Sequence, residues 1–121
     1  MKMKVAVIGA SNKTHRYSYK AVMLLKEKGY EVYPVHKKLK EIEGIPVYSS
    51  IKNIKDYLHT ITMYVGAEIS NVVGAEILAG NPERIIFNPG AENPKLEKKA
   101  REKGINTINA CTIVMLNTGQ F

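Results

Sequence analysis

Short runs rich in β-branched residues alternate along this chain with segments whose apolar side chains recur at helical spacing. That rhythm constrains the fold more than any other feature. Lys4 to Ile8 (KVAVI) reads as a buried strand that ends at Gly9. Tyr17 to Lys28 carries Ala21, Val22, Leu24 and Leu25 as a helical stripe, with Ser18 near its start and Gly29 as the C-cap. Glu31 to Val35 (EVYPV) is a second strand, in which Pro34 belongs at a strand end or an unpaired position. After a charged loop, Gly44 to Tyr48 reads as a short third strand. The second half repeats the pattern: strand at Thr60 to Val65, helix at Ser70 to Leu78, strand at Arg84 to Phe87. An amphipathic helix at Pro94 to Lys103, a last strand at Ile105 to Ile108 and an apolar, strand-like tail at Thr112 to Leu116 complete it.

Strands and helices alternating in this way form βαβ units, and right-handed crossovers then give a parallel sheet with helices on both faces. The expectation is an α/β fold: a doubly wound parallel sheet, Rossmann-like, in a single three-layer domain filling residues 1–121. That length builds one core and not two.

Composition narrows the function classes. Hydrophobic residues at 45% and charged residues at 24% are ordinary for a globular domain. The basic start, Met1 to Val5, leads into an apolar run too short for a signal peptide. Nothing approaches the roughly 20 apolar residues of a membrane span. A single cysteine, Cys111, excludes an internal disulfide and suits a reducing interior, so a cytoplasmic location is expected. The net charge of +7 raises the question of nucleic acid. The lysines, however, are dispersed over what read as outer helix faces, Trp is absent, and no basic run is interleaved with aromatics for base stacking. An anionic small ligand accounts for the excess, with no nucleic acid and no membrane as partner; a protein partner or a homo-oligomer stays open.

In doubly wound sheets, ligands lie beyond the carboxyl ends of the strands at the point where strand order reverses. Four loops follow those ends. The first, Gly9 to Arg16, offers a glycine turn at Gly9, small residues Ala10 and Ser11 whose backbone lets an anion approach, and charge from Lys13 and Arg16, a set suited to a pyrophosphate. Only Gly9 matches the G-x-G-x-x-G fingerprint. The second loop holds Pro34, Val35, His36, Lys37 and Lys38 where NAD-selective folds place a carboxylate. Lysines there attract a ribose phosphate, as on coenzyme A (3′) or NADP (2′). Val65, Gly66 and Ala67 follow the fourth strand and Asn88 to Ala91, with Gly90, the fifth; both are small enough for an extended ligand to lie close. No catalytic set assembles. His15, His36 and His59 are dispersed, Glu68 and Glu92 read as helix N-terminal acids, Cys111 reads as a small buried side chain, and no metal-ligand spacing occurs.

Val5 to Ser11 (VAVIGAS), Arg16 to Ser18, Gly29 to Val35 (GYEVYPV), Gly44 to Tyr48 (GIPVY), Phe87 to Ala91 (FNPGA) and Asn109 to Cys111 follow one another in an order that resembles the small CoA-binding proteins of bacteria and archaea. The same order is similar to the CoA-binding domain of the succinyl-CoA synthetase α subunit and of ADP-forming acyl-CoA ligases, and the likeness covers essentially the whole chain. The resemblance implies coenzyme A as the ligand, with pyrophosphate contacts from Gly9, Ala10, Ser11 and Lys13. It implies that Pro34 through Lys37 hold the 3′-phosphate end, that Val65 to Ala67 flank the ligand, and that Gly90 lies near the pantetheine. Two positions depart from it: His36-Lys37 stand where many relatives have Asn-Pro, and Asn88 where many have Gln. The ligases use a phosphorylated histidine of a later domain that these residues do not include, which implies binding of CoA or acyl-CoA without catalysis. An NADP-binding oxidoreductase subunit or redox sensor is the alternative, and a regulatory partner that binds no nucleotide a third reading.

Overall fold

A computed structural model describes residues 3–121; Met1 and Lys2 of the basic start lie outside the described residues. Strands β1 (Lys4–Ile8), β2 (Glu31–Val35), β5 (Thr60–Met63), β6 (Arg84–Phe87) and β7 (Asn106–Asn109) form one parallel sheet in the order β2-β1-β5-β6-β7. Helices α1 (Tyr17–Glu27), α2 (Ala67–Ala79), α3 (Pro94–Glu102) and α4 (Thr112–Asn117) cover it. The fold is the doubly wound α/β domain that the sequence rhythm predicts.

The strands' period of two decides what each face meets. Val5 and Val7 point to the side where Val22, Leu25 and Leu116 of α1 and α4 pack. Ala6, Ile8, Ile61, Met63, Ile85 and Phe87 point to the other, against Ile77, Leu96 and Ala100 of α2 and α3. The interior strand β1 is thus apolar on both faces, as parallel strands between helix layers must be. Pro34 is accommodated because β2 is an edge: its carbonyl accepts the Tyr48 amide at 2.9 Å, and its missing N–H costs no ladder bond.

Three segments differ from the sequence reading. Gly44–Tyr48 is not a strand of the main sheet. Ile45–Pro46 (β4) folds back antiparallel on Glu41–Ile42 (β3) through a two-residue turn with positive φ at both Glu43 (49°) and Gly44 (82°). Only Tyr48 reaches the main sheet, through a single parallel bridge to Val35. Thr112–Leu116 is helix α4, not strand-like: Thr112, Met115 and Leu116 are its buried positions, at helical spacing, and they override the β-branched composition. Helix α2 begins at Ala67, three residues before the expected Ser70, so Gly66 is its N-cap and not part of a loop.

Candidate functional site

The strand order reverses between β1 and β5, which places the N-termini of α1 and α2 on either side of the switch point. Register lines up the predicted loops along one edge: Ile8 lies beside Val35 and Met63, and Met63 beside Phe87. Gly9, His36, Tyr64 and Asn88 therefore follow in one row. From the end of β2 to the end of β6 is three strand spacings, roughly 14 Å, a span that suits an extended ligand.

Gly9 has φ +87°, and a Cβ there would lie 2.7 Å from Val65 Cγ1 and 3.1 Å from the Tyr64 carbonyl oxygen. The glycine is demanded by the close pass of the first loop over the end of β5, not by room for a ligand. Its amide and that of Ala10 both donate to Val35 O at 3.2 Å. This corrects the expectation that these two amides face an anion: they tie β1 to β2. The next amides are different. Lys13 N–H donates to Ser11 Oγ at 3.0 Å, while those of Ser11, Asn12, Thr14 and His15 meet no protein acceptor among the described residues.

The same holds for the opening amides of α1, Tyr17 to Tyr19. Its N-cap Arg16 makes no side-chain capping bond, and its first turn carries no acid. By contrast, α3 is capped by Asn93 Oδ1 accepting from Leu96 N–H at 3.0 Å, with Pro94 opening the helix and Glu97 in the first turn. An uncapped helix start ringed by cations is a place for an anion. The sequence carries a signal for this, since Arg16, not Ser, Thr, Asp or Asn, stands directly before Tyr17. Lys13 and Arg16 are exposed, and neither forms an ion pair among the described residues.

At the end of β2, Pro34 is buried and Lys37 and Lys38 are exposed, with no carboxylate on either lysine among the described residues. His36 is half-buried: its N–H donates to Tyr48 O at 3.0 Å, and its Nδ1 accepts from the Lys38 and Leu39 amides at 3.0 and 3.1 Å. At β5, Val65 packs against Gly9 and the core, and Gly66 is exposed, with nothing within 4 Å of where its Cβ would be. Ala67 opens α2. Gly90 has φ +90°, in open space, and its amide donates to Glu92 Oε1 at 2.9 Å. Glu92 is therefore engaged with the Gly90 turn and precedes the N-cap of α3, where a first-turn acid had been expected. Glu68 does lie in the first turn of α2.

Asn88 is 2% exposed. It donates from Nδ2 to Thr62 Oγ1 (2.7 Å) and Met63 O (2.8 Å), and its Oδ1 accepts from Thr112 N–H (2.8 Å). It joins β5, β6 and α4. Asn93, 3% exposed, is likewise occupied by Ser70 Oγ at 2.7 Å and Asn71 Oδ1 at 2.9 Å. Cys111 is half-buried as the N-cap of α4, more open than the small core thiol expected from sequence. Among the described residues no group of three His, Cys, Asp or Glu side chains is placed to hold a metal ion, and no helix is long and apolar enough to cross a membrane.

A half-open hollow of about 290 Å³ lies elsewhere, at the amino end of the sheet, between Ile51–Leu58 and the last turn of α2. Its floor is apolar, but Lys52, Asp56 and Glu76 on its rim mix both signs. The carboxyl edge is the better candidate for an anion, because Lys13, Arg16, Lys37 and Lys38 are exposed there beside amides that meet no acceptor among the described residues.

The same fold occurs in known proteins. The protein YneT of Bacillus subtilis, uncharacterized, is 26% identical over 105 residues, covering 87% of this chain and 78% of its own. A segment of 51 residues is 43% identical to the α subunit of an ADP-forming acetate–CoA ligase II of Pyrococcus furiosus, covering 41% of this chain and 11% of the ligase subunit. The crystal structure of an uncharacterized protein, 35% identical, superposes with a TM-score of 0.89 and covers 100% of this chain and 99% of that one. Residues 3–117 match the family described as CoA binding domain, and the chain belongs to that family.

Proposed function

We propose that this chain binds coenzyme A or an acyl-CoA along the carboxyl edge of its sheet and performs no chemistry on it. The observation that carries the reading is a set of cations without carboxylate partners among the described residues, Lys13 and Arg16 at the uncapped start of α1 and Lys37 and Lys38 after β2. The pyrophosphate meets the free amides of Ser11, Asn12, Thr14, His15 and Tyr17 to Tyr19, together with the Lys13 and Arg16 side chains. The adenosine 3′-phosphate lies toward Lys37, and the pantetheine runs past Val65 to Ala67 toward Gly90. Membership in the CoA binding domain family supports the ligand, and the likeness to part of an acetate–CoA ligase subunit supports it further.

Binding without turnover is supported by what surrounds the far end of that path. A reacting group must come within about 3–3.5 Å of the reacting atom. Asn88 and Asn93 are buried in structural hydrogen bonds, and Glu92 holds the Gly90 amide.

Calorimetry with CoA, dephospho-CoA and NADP tests the reading. A charge-assisted contact to the 3′-phosphate contributes about 1.5–3 kcal/mol, so CoA binds about ten- to a hundredfold more tightly than dephospho-CoA. Equal affinity for the two overturns the role of Lys37, and tighter binding of NADP transfers the site to a 2′-phosphate. Thiol release from acetyl-CoA or longer acyl-CoA above background overturns the absence of turnover.

A further inference from the structure

The turn after β2 contains a histidine whose ring is turned inward on its own backbone. His36 Nδ1 accepts two amide protons, from Lys38 at 3.0 Å and Leu39 at 3.1 Å. Both donors are backbone N–H groups, so Nδ1 is unprotonated and a neutral ring carries its proton on Nε2. The same residue is anchored on its other side, where its N–H donates to Tyr48 O at 3.0 Å and Tyr48 N–H donates to Pro34 O at 2.9 Å. Tyr48 in turn packs on Tyr33, with ring centroids 5.6 Å apart. The imidazole thus closes a turn that is fixed at its base, and Lys37 and Lys38 stand at its apex.

We infer that His36 is a positioning residue: it pre-forms the turn that presents Lys37 and Lys38 to the ribose phosphate, and so sets the preference for a phosphorylated ribose without itself having to touch the ligand. The inference rests on the proposed CoA reading. Its physical basis is that two flexible lysines on an unordered loop must be ordered when the phosphate binds, whereas a turn already closed by two hydrogen bonds has met that cost in the free protein. A side chain that accepts from the amides two and three residues on is the device by which Asn and Asp also close turns. Asparagine at this position therefore keeps the function, and an apolar side chain of similar bulk loses it.

The test compares His36→Leu and His36→Asn with wild type for CoA and dephospho-CoA by calorimetry. It also follows amide exchange at Lys38 and Leu39 by NMR. His36→Leu is expected to weaken CoA about tenfold while changing dephospho-CoA less than about twofold, and His36→Asn to return CoA to within about threefold of wild type. The two amides exchange quickly in the leucine variant and slowly in the asparagine variant. A leucine variant with the wild-type ratio of affinities overturns the inference and leaves the CoA site intact. So does an asparagine variant as impaired as the leucine one. Wild-type protein that binds the two ligands equally overturns the lysine reading itself, and this inference with it.

Discussion

The two edges of the sheet are built from the same strands and yet handle charge in opposite ways. At the amino edge, several carboxylates have partners within the protein. Lys4 Nζ lies 3.5 Å from Asp56, and His59 Nε2 lies 3.8 Å from Glu83. The Tyr33 hydroxyl contacts Glu31 and donates to Asp56 at 2.6 Å. At the carboxyl edge, Lys13, Arg16, Lys37 and Lys38 pair with no carboxylate among the described residues, Glu43 being engaged by the Tyr19 hydroxyl at 2.6 Å, and α1 starts without a side-chain cap. Exposed ion pairs contribute little stability, so the amino edge is not held together by its charges. The contrast teaches something else. A domain of net charge +7 can spread its excess over solvated helix faces, but here a group of cations gathers at the one edge where the fold also exposes amides. That is the difference between a surface of paired charges and one whose cations pair with no carboxylate among the described residues.

Substitutions break this comparison in order of effect. The largest falls at Gly9, where a side chain meets Val65 and the Tyr64 carbonyl at a φ of +87°. Left-handed strain and overpacking together cost about 2–6 kcal/mol, a large part of the roughly 5–15 kcal/mol that holds such a domain. Gly9→Val therefore lowers stability in urea denaturation, and binding is lost through the scaffold, not through filled ligand space. Unchanged stability with abolished binding would show the reverse. Next, Asn88→Ala strips partners from the buried Thr112 amide, Thr62 and Met63 O, and is expected to cost about 2–4 kcal/mol in the same assay. Less than 1 kcal/mol would remove Asn88 from the scaffold of the carboxyl edge.

The amino edge answers to pH instead. Its hydrogen bond from Tyr33, and then the nearby Lys4, hold the Asp56 carboxyl below its ordinary 3.8, so its contribution is complete above that value and is lost as pH falls through the lowered one. Burial, followed by the carboxylates beside it, pushes the Tyr33 phenol above its ordinary 10.0. That contribution is present below pH 10 and is lost as pH rises through the raised value. Tyr33→Phe is expected to cost about 1 kcal/mol at neutral pH, to flatten the fall of stability below pH 4, and to leave CoA affinity unchanged. A change in CoA affinity would contradict the separation of the two edges.

Much of this was legible from residues alone. The bounds of β1, β2 and β6 follow from where β-branched runs meet Gly9, His36 and Asn88. The β3–β4 hairpin escaped because its strands are two residues each and its turn depends on Glu43, a residue type that gives no positive-φ signal. Helix α4 escaped because Thr112, Ile113 and Val114 speak for a strand locally, while the decisive contacts, Asn88 to Thr112 and α4 against α1, are distant in sequence. At the site, the location of the charged loops was readable from strand order. Which amides remain available was not. Gly9 and Ala10 look like anion binders until Val35 O is seen to take both their protons, and that bond exists only once β1 and β2 pair.

The central claim, that the ligand occupies the carboxyl edge, is tested most directly by titrating ¹⁵N-labelled protein with CoA and following backbone amide shifts. The account predicts that the largest changes fall on Ser11 to Tyr19, on Lys37 to Leu39 and on Gly66 to Glu68, with little movement at Ile51 to Leu58. Shifts centred instead on Ile51 to Leu58 and the end of α2, around the hollow of about 290 Å³, would place the ligand at the amino edge and contradict it.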